Sequence, residues 1–261
     1  MDSEQGTHLL SAPWHARLTA AVRLEYESEA AVQKYKHVGV WHSETVLFGQ
    51  HCPAGGRILE VACGGGRSLI DLARRGGQVS AIDASSHLLS VAAANLLVRG
   101  LRADLHCCDM RALPFPDATF DFVYIGSCSL ELVPGRAQRL KALAEFARVT
   151  RFGGVVLLTA HSRVALTSAW VRWLVHYVGG ARAHGLEPGD CLDRPDTATG
   201  VRSGGYMHIT NPFWLIRHLA RLKLRLLHVA SRGDLERDAC RRLVPTLLLR
   251  GDTLFWVTRK V

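Results

Sequence analysis

Apolar residues in this chain come in short runs separated by stretches with a helical repeat. Residues 57–62 (RILEVA), 78–83, 102–108, 120–125 and 154–159 are five such runs and read as buried strands. Between them, 67–75, 86–99 and 136–150 repeat apolar side chains every three or four positions and read as helices. Gly76-Gly77 and Gly100 stop the first two. Strands alternating with helices of this length predict βαβ units, and so a parallel sheet covered on both faces.

The rhythm changes on either side. Residues 1–54 read as a helical amino-terminal cap. Residues 164–178 form an aromatic helical pattern, and the Gly-, Asp- and Pro-containing stretch 179–205 follows as a loop. A loop that long inside a compact domain is expected to be a lid or binding segment. Residues 212–222 read as a helix capped by Asn211. Residues 224–230 and 253–259 alternate apolar and polar positions, as an antiparallel pair at the sheet edge would. The expected organisation is one α/β domain over 1–261: a cap (1–54), a core (55–160), a lid or substrate insertion (161–211), and a carboxyl-terminal helix with a β-hairpin (212–261).

Composition narrows the class. Of 261 residues, 48% are apolar and 21% charged, which excludes a disordered chain, a collagen and a coiled coil. The seven cysteines include no C-x-x-C pair, so neither a disulfide framework nor a zinc site is expected, and no metal. The start MDSEQGTHLL lacks a signal-peptide pattern, and the apolar segment 164–180 contains Arg172 and His176 and is too short to span a bilayer. A soluble, reduced, cytoplasmic protein is the expectation. The net charge is +9, and residues 201–261 hold 12 basic side chains against 4 acidic. Such an excess suits an anionic partner or a solvated face.

The candidate chemistry lies in Glu60-Val61-Ala62-Cys63-Gly64-Gly65-Gly66, between the first strand and its helix. Glycines there let the backbone turn sharply and approach a ligand closely at a helix start. Asp83 ends the next strand, where a carboxylate can accept from both hydroxyls of a ribose. A dinucleotide fingerprint requires G-x-G-x-x-G, whereas the chain reads A-C-G-G-G-R from Ala62; a P-loop requires a Lys that is missing. Glu60 would repel phosphate and tolerate a cation. A phosphate-free nucleoside carrying positive charge fits better, and S-adenosylmethionine has that chemistry.

ILEVACGGGRS resembles the first motif of class I S-adenosylmethionine-dependent methyltransferases. AIDASSHLL resembles their acidic loop, and CCDMRALPFPDATFDFVYIGSCSLELV their adenine-binding and fourth-strand motifs. LAEFARVTRFGGVVLLTA resembles their last helix-and-strand signature, in the branch of the ubiquinone/menaquinone C-methyltransferases. The four lie in order over roughly residues 55–160.

The resemblance implies a Rossmann-like, doubly wound sheet of seven strands, mostly parallel with an antiparallel carboxyl-terminal edge strand. It implies S-adenosyl-L-methionine as cofactor and S-adenosyl-L-homocysteine as product. Glu60, Ala62, Gly64 and Gly66 would then surround the methionine part, and Asp83 the ribose, with Ala84 against the adenine. Asp109 would accept from the adenine amino group, Met110 would cover the ring, and Ser127 would line the methionine part. Tyr35, with Tyr26, would stand over the cofactor. Ala62 replaces the usual first glycine, and Phe152 a common proline in a turn.

Methyl transfer to a hydroxyl, enol or amine also requires a proton to leave, which histidine suits. His161 follows the fifth strand, His208 follows the lid, and His42 lies in the cap; these are the candidate bases. Trp170, Trp173, Leu174 and Tyr177 share one face of the insertion helix and, with Tyr206, could roof an acceptor, pack on the sheet or touch lipid. The expected activity is methylation of oxygen or nitrogen, with carbon open, on a small apolar or acidic molecule in specialised-metabolite or quinone biosynthesis. Peripheral membrane contact is left open, nucleic acid is disfavoured, and a monomer or homodimer is expected. Two alternatives stand: a tRNA-modifying methyltransferase, to which RLEYESEAAVQKYKHV and GYMHITNPFWLIRHL bear a weak resemblance, and a non-catalytic cofactor-binding regulator or partner subunit.

Overall fold

The computed structural model describes residues 14–36, 39–75, 77–164, 186–192, 194–195, 202–203, 205–237, 248–249 and 253–261. Among the described residues three helices come first: α1 (Trp14–Glu27), α2 (Glu29–Tyr35) and α3 (His42–His51). β1 (Arg57–Val61), α4 (Leu69–Arg74), β2 (Gln78–Asp83), α5 (Ser86–Leu97), β3 (Asp104–Cys107), β4 (Phe120–Ile125), α6 (Arg136–Val149) and β5 (Thr150–Ala160) follow. The insertion contributes β6 (Asp190–Cys191), β7 (Arg194–Pro195), β8 (Arg202–Ser203) and β9 (Met207–His208). The chain closes with α7 (Pro212–Arg221), β10 (Leu224–Ser231), α8 (Arg232–Leu235) and β11 (Leu254–Lys260).

Seven strands form one sheet in the order β10-β11-β5-β4-β1-β2-β3. β1 to β5 pair in parallel, and β11 lies between β5 and β10, antiparallel to both. The antiparallel pair expected at the sheet edge is therefore β11 with β10, and β10 is the edge strand itself. The period-two alternation of the strands divides their side chains between two cores. Leu59, Val61, Val123, Ile125, Leu158 and Trp256 meet Leu143 and Phe146 of α6 and Leu215 and Leu219 of α7. Ile58, Phe122, Tyr124, Leu157 and Phe255 meet Phe48 of α3, Leu69 and Leu72 of α4, and Leu96 of α5.

Local sequence explains the main boundaries. Asn211 caps α7 as expected, its side chain accepting from the N–H groups of Phe213 and Trp214 at 3.0 and 3.3 Å, with Pro212 at the first turn. The turn expected at Phe152 falls at an irregularity of β5. β5 runs unbroken from Thr150, and the pairing with β4 shifts register between Phe120–Thr150 and Phe122–Val155, which absorbs Gly153 at φ +77°. The stretch 179–205, expected as loop, contributes β6, paired with β9, and β7, paired with β8.

The basic excess is placed by the strand directions. Arg217, Arg221, Lys223 and Arg225 are all exposed at the end of α7 and the start of β10. Leu224 pairs with Lys260, and Arg259 with Val155 at the beginning of β5, so this group lies at the amino-terminal end of the parallel strands. The glycine loop lies at the opposite end. Of the two readings of the basic excess, the solvated face fits this position: these cations border an edge strand, where charge discourages pairing with another chain. Among the described residues no helix is long and apolar enough to cross a membrane.

Candidate active site

The carboxyl ends of β1, β2, β4 and β5 meet at one rim of the sheet, where ligands of open α/β sheets bind. Directly after β1, Ala62 takes φ +56°, followed by Gly64 at φ +54° and Gly66 at φ +85°. Alanine thus occupies the left-handed conformation that favours glycine, at a cost of roughly 1–2 kcal/mol. Ala62→Gly relieves that cost but gives back part of it through a freer unfolded chain. The net expectation is a gain on the order of 1 kcal/mol, seen as a higher melting temperature.

Gly65 shows why the cap matters. A Cβ built there would come within 2.2 Å of the Tyr35 carbonyl oxygen, so the end of α2 lies directly on the loop. Asn95 secures the crossing by donating to the Gly65 carbonyl at 2.9 Å and the Lys36 carbonyl at 3.3 Å. Tyr35 is half-buried and stacks on Tyr26 with ring centroids 5.6 Å apart, which places both expected tyrosines beside the loop. Gly66 lies against Ala92 of α5.

Two carboxylates define the floor. Glu60 is buried, accepts from the Ser68 hydroxyl through Oε1, and has no hydrogen-bond partner at Oε2 among the described residues. Burial pushes its carboxyl up to about 8, against the Ser68 hydrogen bond and the Arg67 charge. Asp83, also buried, accepts from the N–H groups of Gly64 at 2.8 Å and Ser85 at 2.9 Å. Burial raises its carboxyl too, opposed by those backbone donors. Ala84 beside it is exposed, as is Ser127, which leaves β4 at φ +52°.

Asp109 and Met110 follow β3 nearby. The Asp109 carboxylate is held by Arg111, through Nη2 at 2.6 Å and Nε at 2.9 Å. Burial would raise that carboxyl, but the Arg111 hydrogen bonds outweigh it and hold it below its ordinary range. Met110 is half-buried against the core.

The three candidate bases separate. His161 follows β5, and both its N–H and its Nδ1 lie on buried Glu131, at 3.0 and 2.6 Å. Its imidazole is pushed well above its ordinary value, by Cys128 first and then Glu131, against burial. His208 is buried with Nδ1 2.7 Å from Asp190 Oδ1, and burial lowers its value despite that partner. His42 begins α3, exposed, within electrostatic reach of Glu236 just after α8. Tyr206, expected on the lid, is instead 2% exposed. Its hydroxyl donates to Asp190 at 2.7 Å and accepts from Arg139 of α6 at 3.2 Å, so it ties the insertion to the domain. Trp170, Trp173 and Tyr177 lie outside the described residues.

Several functional neighbours carry no sequence signal of their own. Buried Glu44 accepts from Arg67 at 2.6 Å and from the Tyr124 hydroxyl, which locks α3 under the glycine loop. Trp41 is packed between Arg67 and Arg232, whose guanidinium carbons lie 4.2 and 3.6 Å from its ring. Glu131 and Asp190 are similarly invisible until the fold brings a histidine to each. The only cue was a carboxylate in an otherwise apolar stretch, such as SLELV.

Residues 58–154 match the family described as "Methyltransferase domain". The chain is 34% identical over 135 residues to a demethylmenaquinone methyltransferase of Bacillus licheniformis, covering 51% of this chain and 56% of that one. It is 37% identical over 118 residues to a ubiquinone biosynthesis O-methyltransferase of an Azoarcus species, covering 43% and 48%. The chain thus spans about half the length of the curated relatives it matches. A solved S-adenosylmethionine-dependent methyltransferase structure from Methanosarcina mazei superimposes with a TM-score of 0.66 at 19% identity, covering 82% of this chain and 97% of that one. At that identity the likeness concerns the fold.

Proposed function

We propose that the chain, whose residues 58–154 match the family described as a methyltransferase domain, transfers the methyl group of S-adenosylmethionine to a small organic acceptor. The observation that carries this reading is the rim after β1, β2 and β4. There a buried carboxylate with one free oxygen, an open glycine backbone and a second buried carboxylate meet.

The residues fit the cofactor's chemistry. Glu60 Oε2 suits a cationic ligand, which the ammonium of the methionine part provides. A Cβ added to Gly64 would meet nothing within 4 Å, so its backbone faces open space. Asp83 uses one lone pair of each oxygen on Gly64 and Ser85, and retains others for ribose hydroxyls. Glu60, Ala62, Gly64, Gly66 and Ser127 would hold the methionine part, with Tyr35 above the loop. Ala84 and Met110 would flank the adenine. Asp109 would serve its amino group only with lone pairs that Arg111 leaves. The bound cofactor supplies an electrophilic methyl group. The protein's task is to align the acceptor, exclude water and handle its proton, and alignment alone supplies up to roughly 7–11 kcal/mol.

Of the candidate bases, His161 has the better position: it follows β5 on the same rim, its ring is fixed by Glu131, and its side chain is 34% exposed. His208 is committed to Asp190 inside the insertion. The acceptor enters between the cap and the insertion and presents oxygen, nitrogen or an activated carbon. The quinone-pathway names of the two relatives support a small aromatic or quinonoid molecule.

Calorimetric titration of the full chain tests the reading. S-adenosylmethionine and S-adenosylhomocysteine should bind with micromolar affinity, while ATP and NAD, which bring phosphates toward Glu60, should not. Absent binding of the first pair, or equal binding of all four, would overturn it. A chain that binds yet releases no S-adenosylhomocysteine with any phenolic, amine or quinonoid acceptor would be the regulator instead.

A further inference from the structure

β4 delivers Cys128, a thiol that methyl transfer to oxygen or nitrogen does not require, beside His161. Leaving Ile125, the chain places both Ser127 and Cys128 in the left-handed region, at φ +52° and +55°, and enters the helical turn Ser129–Leu132. Such backbone is costly for non-glycine residues and persists only where its surroundings impose it, which happens often at reactive sites. Here the surroundings are explicit. The Cys128 N–H donates to Thr159 Oγ1 at 2.7 Å, and the Ser129 N–H and hydroxyl both donate to the Gly126 carbonyl, at 3.0 and 2.7 Å.

The thiol produced by this elbow lies beside the His161 imidazole, whose value it raises. The ligand atoms of Cys128, Glu131 and His161 lie within 4.8 Å of one another. Glu131 spends one oxygen on His161 Nδ1 and the other on the N–H groups of His161 and Thr210, so its effect is to fix the ring. A sulfur nucleophile, an imidazole beside it and a carboxylate orienting that imidazole are the parts that nucleophile activation requires. The same three residue types also suit zinc. The 2.6 Å contact of Glu131 with His161 Nδ1 orients the ring as a nucleophile's base requires, which favours the nucleophile.

We propose that Cys128, His161 and Glu131 form a nucleophilic triad, and that Cys128 adds to the electron-poor carbon of an α,β-unsaturated carbonyl acceptor. Sulfur is soft and polarisable, and conjugate carbon is the electrophile that suits it. His161 takes the thiol proton, and a sulfur lone pair forms an S–C bond at the β-carbon. The C=C π pair moves toward the carbonyl oxygen as an enolate, which leaves electron density on the α-carbon. Once the α-carbon carries the added methyl group, its hydrogen leaves as a proton to water and the enolate re-forms. The S–C bond then breaks with its pair returning to sulfur, and His161 returns the first proton to the thiolate. This deepens the methyl-transfer reading and rests on it: the α-carbon becomes the methyl acceptor.

N-ethylmaleimide, itself an unsaturated carbonyl, is the probe. The full chain receives less than one equivalent, is quenched at intervals, and each cysteine is followed by peptide mass spectrometry. Cys128 is buried and Cys107 exposed, yet Cys128 should be modified at least tenfold faster. His161→Ala and Glu131→Gln should slow Cys128 at least tenfold and leave the rate at Cys107 unchanged. The proposal is overturned if Cys107 reacts first in the parent chain, if the His161→Ala variant reacts at the parent rate, or if the purified chain carries stoichiometric zinc that protects Cys128. Calorimetry with S-adenosylmethionine on the unmodified chain reads the methyl-transfer proposal separately, so failure of either is distinguishable.

Discussion

Asp83→Ala should lower affinity for S-adenosylmethionine by at least two orders of magnitude while leaving the chain folded. Hydrogen bonds to a charged group are worth about 1.5–3 kcal/mol each, and two ribose hydroxyls on one carboxylate amount to about 3–6 kcal/mol, or roughly 10²–10⁴ in affinity. The loss extends beyond the ligand. Asp83 also receives the Gly64 and Ser85 N–H groups, at 2.8 and 2.9 Å, so the alanine variant loosens the glycine loop before any cofactor arrives. Leaving buried donors unpaired costs about 1–3 kcal/mol each, which a melting curve will show. Asp83→Asn separates the two effects, since its amide oxygen can still accept from one of those N–H groups. Calorimetry on both variants is the check, and parent-like affinity in the alanine variant would remove the ribose assignment.

The second large effect concerns Glu60 and pH. Its carboxyl is raised from 4.5 to about 8 by burial, so the folded chain holds this proton more tightly than the unfolded chain does. The sign follows from linkage: the contribution to stability is complete below pH 4.5, is lost as pH rises toward 8, and changes no further above that. A cationic ligand needs the ionised form. Affinity for S-adenosylmethionine should therefore rise about tenfold per pH unit below 8 and level off above it. Near pH 7 about one proton should leave on binding, visible as a binding enthalpy that varies with the ionisation enthalpy of the buffer. Glu60→Gln should abolish both the pH dependence and the proton release. It should weaken binding roughly 10–150-fold, for a lost charged contact of about 1.5–3 kcal/mol. At pH 8 it should melt higher than the parent without ligand, because a buried charge is gone. Unchanged affinity in the Glu60→Gln variant would place the cofactor's positive charge elsewhere.

Much of this was legible from local pattern. Strand-length apolar runs, the glycines after Glu60 and Asp83 at the end of the next run depend on neighbours close in sequence, and the structure places them on one rim. The glycine pair after Phe152 marked an interruption, and only the pairing with Phe120 and Phe122 shows that β5 is bulged there. Tyr206 misled because an aromatic residue after a long loop looks like a lid, whereas Arg139 and Asp190, far from each other along the chain, draw its hydroxyl inward. The basic excess of residues 201–261, which includes Arg217, Arg221, Lys223 and Arg225, carried no position relative to the site. Strand direction puts them at the other end of the sheet.

The amino-acid sequence by itself determined the α/β alternation, the loop that begins at Glu60 and the acid at Asp83, because each is set by spacing within one or two elements. Only the tertiary structure decided which carboxylate meets which histidine. Glu131 reaches His161 and Asp190 reaches His208 across gaps of 30 and 18 residues. Those gaps are closed by the parallel crossover from β4 to β5 and by the pairing of β6 with β9. Periodicity reports which face a side chain occupies within its own element. The partner across the rim is set by how the elements pack, and that packing gives His161 its carboxylate, Cys128 its imidazole and Glu60 its buried, proton-holding floor.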